Sequence, residues 1–200
     1  MIASLLAAVV AANIRQPYPE LAPLQHAPTV VVCLAAPWLL RRWPLSTGAV
    51  ALIWMFLLLH TLGGRYIYSY VPYDSWFAAA TGSRLSALFG IARNGYDRLV
   101  HLAFGLLLTP VIVEVARRHG GLGHRSAWLL GFAMVGLVSA LYEIFEWLLT
   151  IALAPDMVEG YNGQQGDMWD PQKDMATAQL GSGLSWIAAG LFARRRPRRS

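Results

Sequence analysis

Charge and cysteine are what this sequence has least of. Only 14% of its 200 residues are charged, against 56% hydrophobic, where soluble chains carry about 25% charged residues. That balance excludes an ordinary soluble domain and points to a membrane protein. The single cysteine, Cys33, lies in an apolar run, which excludes an intramolecular disulfide and a thiolate metal cluster. No Gly-x-Ser-x-Gly motif is present, so a nucleophile-elbow mechanism is not indicated. There is no internal repeat, and no low-complexity tract beyond the basic C-terminal tail. The net charge of +5 is spread in short clusters between apolar runs, which reads as membrane topology and excludes nucleic acid as the expected partner.

Six apolar segments can be drawn, at about 1–13, 28–40, 45–62, 97–116, 126–153 and 175–193. They predict an all-α, polytopic transmembrane bundle of about six spans, treated as one membrane domain over 1–200. The first two segments are shorter than the roughly 17–25 residues a span needs. Segment 1–13 has no basic leader and no small-residue cleavage site, so it reads as a helix and not as a removed signal. Segment 28–40 contains Pro37 and must borrow residues from its flanks to span.

Acids are missing from alternate loops. Arg41 and Arg42, then Arg117, Arg118 and Arg125, then Arg194, Arg195, Arg196, Arg198 and Arg199 are ten of the sixteen basic residues, and no Asp or Glu lies among them. The other loops hold Glu20, Asp74, Asp156, Glu159, Asp167, Asp170 and Asp174. The arginine-rich loops and the C-terminus are therefore expected in the cytoplasm, and the long loops outside. In the outer loop 63–96, Trp76, Ala80, Ala87, Leu88 and Ile91 recur at roughly helical spacing, which predicts an interfacial helix. Its tyrosines fit an interfacial aromatic belt as well as a ligand site.

This orientation sends the ionisable groups to one level. Asp97 opens the fourth segment, and His101 lies four residues deeper on the same face. Glu143 is 18 residues beyond Arg125, about 27 Å along a helix, and Glu146 shares its face. Asp174 opens the sixth segment, with Gln179 below it, and His60 closes the third. Ionisable groups at membrane depth cost roughly 2.5–3.5 kcal/mol on insertion scales and mark functional sites. Carboxylates one turn apart in a low dielectric need a cation between them. Arg65, Arg98, a protonated His101 and a divalent metal are the candidates.

The loop from Gly160 to Asp174 is a second concentration, with Asp167, Asp170 and Asp174 at spacings of three and four. Asp170 before Pro171 also reads as an ordinary helix cap. The loop lacks the regular ligand pattern of an EF-hand. Glu114, one turn before Arg117 and Arg118, reads as an ordinary ion pair, and His119 and His124 as solvated.

Four strings occur in order: His60-Thr61-Leu62-Gly63-Gly64-Arg65-Tyr66 with Val71-Pro72, Asn94-x-Tyr96-Asp97-Arg98-x-x-His101, Tyr142-Glu143-x-x-Glu146-Trp147, and Gln165-Gly166-Asp167-x-Trp169-Asp170-x-Gln172-x-Asp174-Met175. Together they resemble the YjdF-like family of predicted bacterial inner-membrane proteins, over about 50–190. The resemblance implies an inner-membrane location. It confirms the polar constellation and supplies no reaction. More distantly, Asp97-Arg98-x-x-His101, the Glu143/Glu146 pair and Asp174 leading to Leu180-Gly181 are similar to the VanZ-like pattern, in which Gln is usual where Glu146 stands.

Three functions fit these residues. In the first, His101, Asp97, Glu143 and Glu146 carry acid–base chemistry. His101, Glu143, Glu146 and Asp174 would hold one divalent metal (zinc, iron or manganese). The reaction is hydrolysis or transfer on a lipid or lipid-linked head group. His60, Arg65, Arg98, Asp167, Asp170 and Gln179 would contact the substrate or order the loop, with the arginines suited to phosphate. In the second, the polar groups form a hydrogen-bonded network in a non-catalytic envelope component. The third is a proton-coupled transporter, against which the polar groups stop short of the midplane where transport sites lie.

Overall fold

The computed structural model describes residues 1–90, 92–152 and 164–195, and every element in them is helical. The helices are α1 (Ile2–Asn13), α2 (Ala22–Arg42), α3 (Thr47–Arg65), α4 (Tyr73–Thr81), α5 (Leu85–Phe89), α6 (Tyr96–Arg118), α7 (His124–Ala152) and α8 (Asp170–Arg195). Ile91, the stretch 153–163 and the tail from Arg196 lie outside the described residues. With them fall Asp156, Glu159 and the start of the glycine-rich loop.

Four of these helices, α2, α3, α6 and α7, are long and apolar enough to cross a membrane. α2 extends beyond 28–40, mainly at its N-terminal side, with Pro28 and Pro37 inside the helix and proline in its first turn. α1 is apolar but only 12 residues long, about 18 Å. α8 is long enough, yet its polar residues dilute its hydropathy. Those residues turn inward: Ser182 and Ser185 are buried, and Ser182 Oγ accepts a bond from Thr109 Oγ1 of α6 at 2.7 Å.

Packing divides the long helices into two groups of three. α1, α2 and α3 pack on one another, as do α6, α7 and α8, and the α3–α6 pair joins the groups. The α6–α8 contact is the most extensive because both helices present glycine at the crossing. A Cβ on Gly105 would strike the Ala178 carbonyl, and one on Gly181 the Leu102 carbonyl. Further along, Trp128 of α7 stacks on Trp186 of α8. At the arginine-rich end, Ser46 caps α3 by accepting from Ala49 N at 3.1 Å. Glu114 takes bonds from Ser46 and pairs with Arg118 at 3.3 Å. This agrees with the reading of Glu114 as an ordinary ion pair, and His119 and His124 are exposed.

The loop expected to carry one helix carries two. Gly82, at φ +78°, ends α4 in the left-handed conformation, which glycine adopts without a Cβ penalty. Asp74 in the first turn of α4 accepts from Ser86 N at 2.8 Å and from Ser86 Oγ. These bonds tie α5 back to α4 and hold the Asp74 carboxyl below its usual range.

Candidate functional site

α6, α7 and α8 bring their polar groups together at the end that carries the long loops, in two layers. The layer nearer the loops is a latch of paired charges. Arg98 reaches three acids at once: Asp174 through Nε at 2.9 Å, Asp167 through Nη2 at 3.2 Å, and Asp170. Arg93 grips both oxygens of Asp170, and Lys173 Nζ lies 2.7 Å from Asp167. Beside them Asn94 and Gln165 exchange bonds. Asn94 N donates to Gln165 Oε1 at 2.9 Å, and Gln165 Nε2 donates to the Asn94 carbonyl at 3.2 Å. The Asp170 carboxylate, 2% exposed, is thus occupied by two guanidiniums. Asp170 stands at the start of α8, and beyond that position its side chain ties α8 to Arg93 and to Arg98 of α6.

The local sequence explains why α6 starts where it does. Asn94 Oδ1 accepts from Tyr96 N at 3.0 Å, its amide donates to the Val71 carbonyl, and Tyr73 OH accepts from Gly95 N. Tyr96 OH then donates to the Leu59 carbonyl of α3. These bonds fix the register that turns Asp97 and His101 toward α7 and α8.

Beneath the latch lies the second layer, richer in acid than in base. His101 Nε2 is 3.8 Å from Asp97 Oδ1 and 3.8 Å from Glu143 Oε1, and all three side chains are largely buried. Asp97, His101 and Asp174 offer donor atoms that all lie within 4.8 Å of one another. Glu146, one turn beyond Glu143, lies beside Tyr142, whose ring packs edge-on against His101. Glu143 Oε1 has no hydrogen-bond partner among the described residues. Arg98, shared with the latch, is the guanidinium that reaches into this layer, through Asp174.

The donor set suits a divalent cation. Two carboxylates and an imidazole are the hard-to-borderline ligands that zinc, iron and manganese accept. Donors about 2.0–2.2 Å from an ion lie roughly 3–4.5 Å from one another, so small side-chain rotations would close this cluster. The grouping differs from the one expected by spacing: Asp97 stands with His101 and Asp174, and Glu143 lies 3.8 Å from His101.

Of three further residues singled out in the sequence, Arg65 and Gln179 sit elsewhere and His60 borders the site. Arg65 donates to the carbonyls of Ala12 and Ile14 at 2.6 and 3.0 Å, closing the C-terminus of α1. Gln179 donates to the Phe132 carbonyl of α7 at 3.3 Å, in a space that Gly136 leaves open. His60 is buried and bonds Tyr68 OH through Nδ1. With Asp97 and His101 it borders an apolar cavity of about 250 Å³. Sequence reasoning gives no role to Arg93, Ser139 or, beyond its place in a motif string, Tyr142. Arg93 carries no local signal, because its partner Asp170 lies 77 residues away.

Asp167 lies outside the spans, and Lys173, the Trp169 amide and Arg98 hold its carboxyl down at about 2. A folded-state value below the ordinary 3.8 means that its stabilisation is complete above that value and is lost as pH falls through about 2. Thermal unfolding from pH 5 downward should therefore show a steeper acid decline for the natural protein than for Asp167→Asn. Equal slopes would place the acid sensitivity elsewhere.

A family model described as "Predicted membrane protein (DUF2238)" matches residues 1–196. "Inner membrane protein YjdF" of Escherichia coli (strain K12) is 31% identical over 179 residues, which cover 88% of this chain and 80% of that protein. No solved structure matches.

Proposed function

Because the chain belongs to the DUF2238 family of predicted membrane proteins, we propose that it is an inner-membrane protein of six spans carrying a divalent-metal hydrolase or transferase centre. The spans are α1, α2, α3, α6, α7 and α8. The arginine-rich loops and C-terminus face the cytoplasm, and the Asp97–His101–Asp174 centre faces the outer side. α1 is shorter than the bilayer is thick, a mismatch that local thinning of the membrane can absorb. The substrate is a lipid or lipid-linked head group.

One observation carries this reading: the latch pairs its own charges, while among the described residues Asp97, Glu143 and Glu146 below it have no Lys or Arg in salt-bridge range. A divalent ion bound there supplies the missing positive charge and the Lewis acidity for attack on an ester or phosphoester. Asp97, His101 and Asp174 hold the centre. Glu143, with an unengaged oxygen, accepts the proton of the attacking water. Tyr142 keeps Glu146 and the His101 ring in place.

Metal analysis of the detergent-purified protein tests this. The natural protein should carry near-stoichiometric zinc, iron or manganese, and His101→Ala and Asp174→Asn should lose it at unchanged folded yield. Glu143→Gln should keep the metal and lower turnover about 10²–10⁴-fold. A metal-free natural protein, with yield falling in step in all three variants, would support the non-catalytic polar network instead.

A further inference from the structure

The cavity against Asp97 and His101 has a way in, and it is lateral. α3 and α6 form its floor, with Phe56, Val100 and Phe104, while Pro28 of α2 and Val138 of α7 stand on either side. α2 is packed by α1 and α3, and α7 by α6 and α8, so the two helices are opposite walls of a cleft. Pro28 and Val138 are both exposed. Toward the loops the cleft is covered. Leu149 of α7 packs against Leu21 and Ile67, and the Arg93–Arg98 latch lies over Asp174 and Asp170.

A molecule reaching His101 therefore comes from the side, between two apolar walls that face hydrocarbon in a bilayer. The lining is almost entirely carbon, which is unfavourable for water or a free polar solute. Its volume, about 250 Å³, falls below the roughly 300–1,000 Å³ of pockets that enclose a whole ligand. It takes a segment of one chain. Ser139 Oγ, buried and without a hydrogen-bond partner among the described residues, offers a polar contact beside that chain.

We infer that the cleft between α2 and α7 admits one hydrocarbon chain of a membrane lipid and so brings the lipid's polar group sideways to Asp97, His101 and Asp174. The fate of that polar group rests on the function proposed above, but occupation of the cleft does not require a metal.

The test uses the full chain in vesicles of phosphatidylethanolamine and phosphatidylglycerol containing a phospholipid with a diazirine in its acyl chain. After irradiation, label should appear on Phe56 and Phe104, which face the cavity. It should fall roughly tenfold or more when Val138→Trp or Ser139→Phe fills the cleft, the response to about 1.4 kcal/mol of lost affinity. Label confined to outward residues such as Leu137 and Leu141, or unchanged at Phe104 in the filled variants, would overturn the inference. If Ser139→Phe does not fold, Val138→Trp at the exposed rim decides alone. Metal is measured in the same samples. Labelled Phe104 in metal-free protein would refute the metal centre and leave the chain slot standing. Unlabelled Phe104 in metal-loaded protein would refute the slot and leave the centre standing.

Discussion

Replacing Arg98 with alanine is expected to cost about 3–5 kcal/mol of stability, the range for removing one partner of a buried ion pair. Its guanidinium is shared among Asp167, Asp170 and Asp174, and two of these carboxylates are only 2% and 3% exposed. Arg93 still holds Asp170 in the variant, so the unpaired charge left behind is mainly that of Asp174. This predicts a specific rescue: adding Asp174→Asn to Arg98→Ala should recover much of the loss, because it removes the orphaned charge. Arg98→Lys should recover less than its charge suggests, since one ammonium cannot reproduce a planar fork meeting three carboxylates. The measurement is thermal unfolding of the detergent-solubilised protein, with the two single variants and the double variant forming a cycle. An Arg98→Ala protein that unfolds with the natural one would mean that the latch holds nothing together.

The latch also shows which parts of the site the sequence makes legible. Asp97 and His101 are four apart, Glu143 lies at a countable distance along its helix from a basic rim, and Asp174 opens a helix. Rise per residue and charge bias alone are enough to send all of them to one level. Arg65 defeats that reasoning. It too stands at the correct end of its helix, but the packing of α3 on α1 places it against the carbonyls of Ala12 and Ile14. No spacing within α3 encodes that neighbour. Gln179 fails for a related reason, because the vacancy it fills is made by Gly136 on α7. Arg93 was overlooked because it precedes the helix, where a lone arginine reads as solvated. Its meaning depends on Asp170, 77 residues away. Segment ends followed the same rule. α2 outgrew its most apolar stretch, since Gln25, His26 and Thr29 are buried against α3 and its surroundings and hydropathy alone counts them against a helix.

Gly181→Ala is the second large effect expected, and it acts through geometry without touching a charge. The added Cβ would meet the Leu102 carbonyl and lie 2.9 Å from Leu106 N. Gly105→Ala is its mirror image, striking the Ala178 carbonyl and coming within 2.7 Å of Ser182 N. The obstructing atoms are backbone, so no rotamer change relieves them and α6 and α8 must separate. Overpacking of this kind costs about 1–3 kcal/mol and more where the backbone must move. The site should register the separation too. His101 is one turn from Gly105 on α6, and Asp174 is seven residues, or about 10 Å, from Gly181 on α8. Parting the helices at the crossing draws Asp174 away from Asp97 and His101. Both variants are therefore expected to lower the unfolding temperature and, on the metal centre proposed above, to lose bound metal together, and the double variant to cost less than the sum because one separation relieves both clashes. Gly183→Ala is the control: nothing lies near its Cβ position, and alanine in place of glycine inside a helix is stabilising by roughly 0.5–1 kcal/mol. If Gly181→Ala behaved like Gly183→Ala, the close α6–α8 crossing would be wrong, and with it the distance on which the Asp97–His101–Asp174 centre depends.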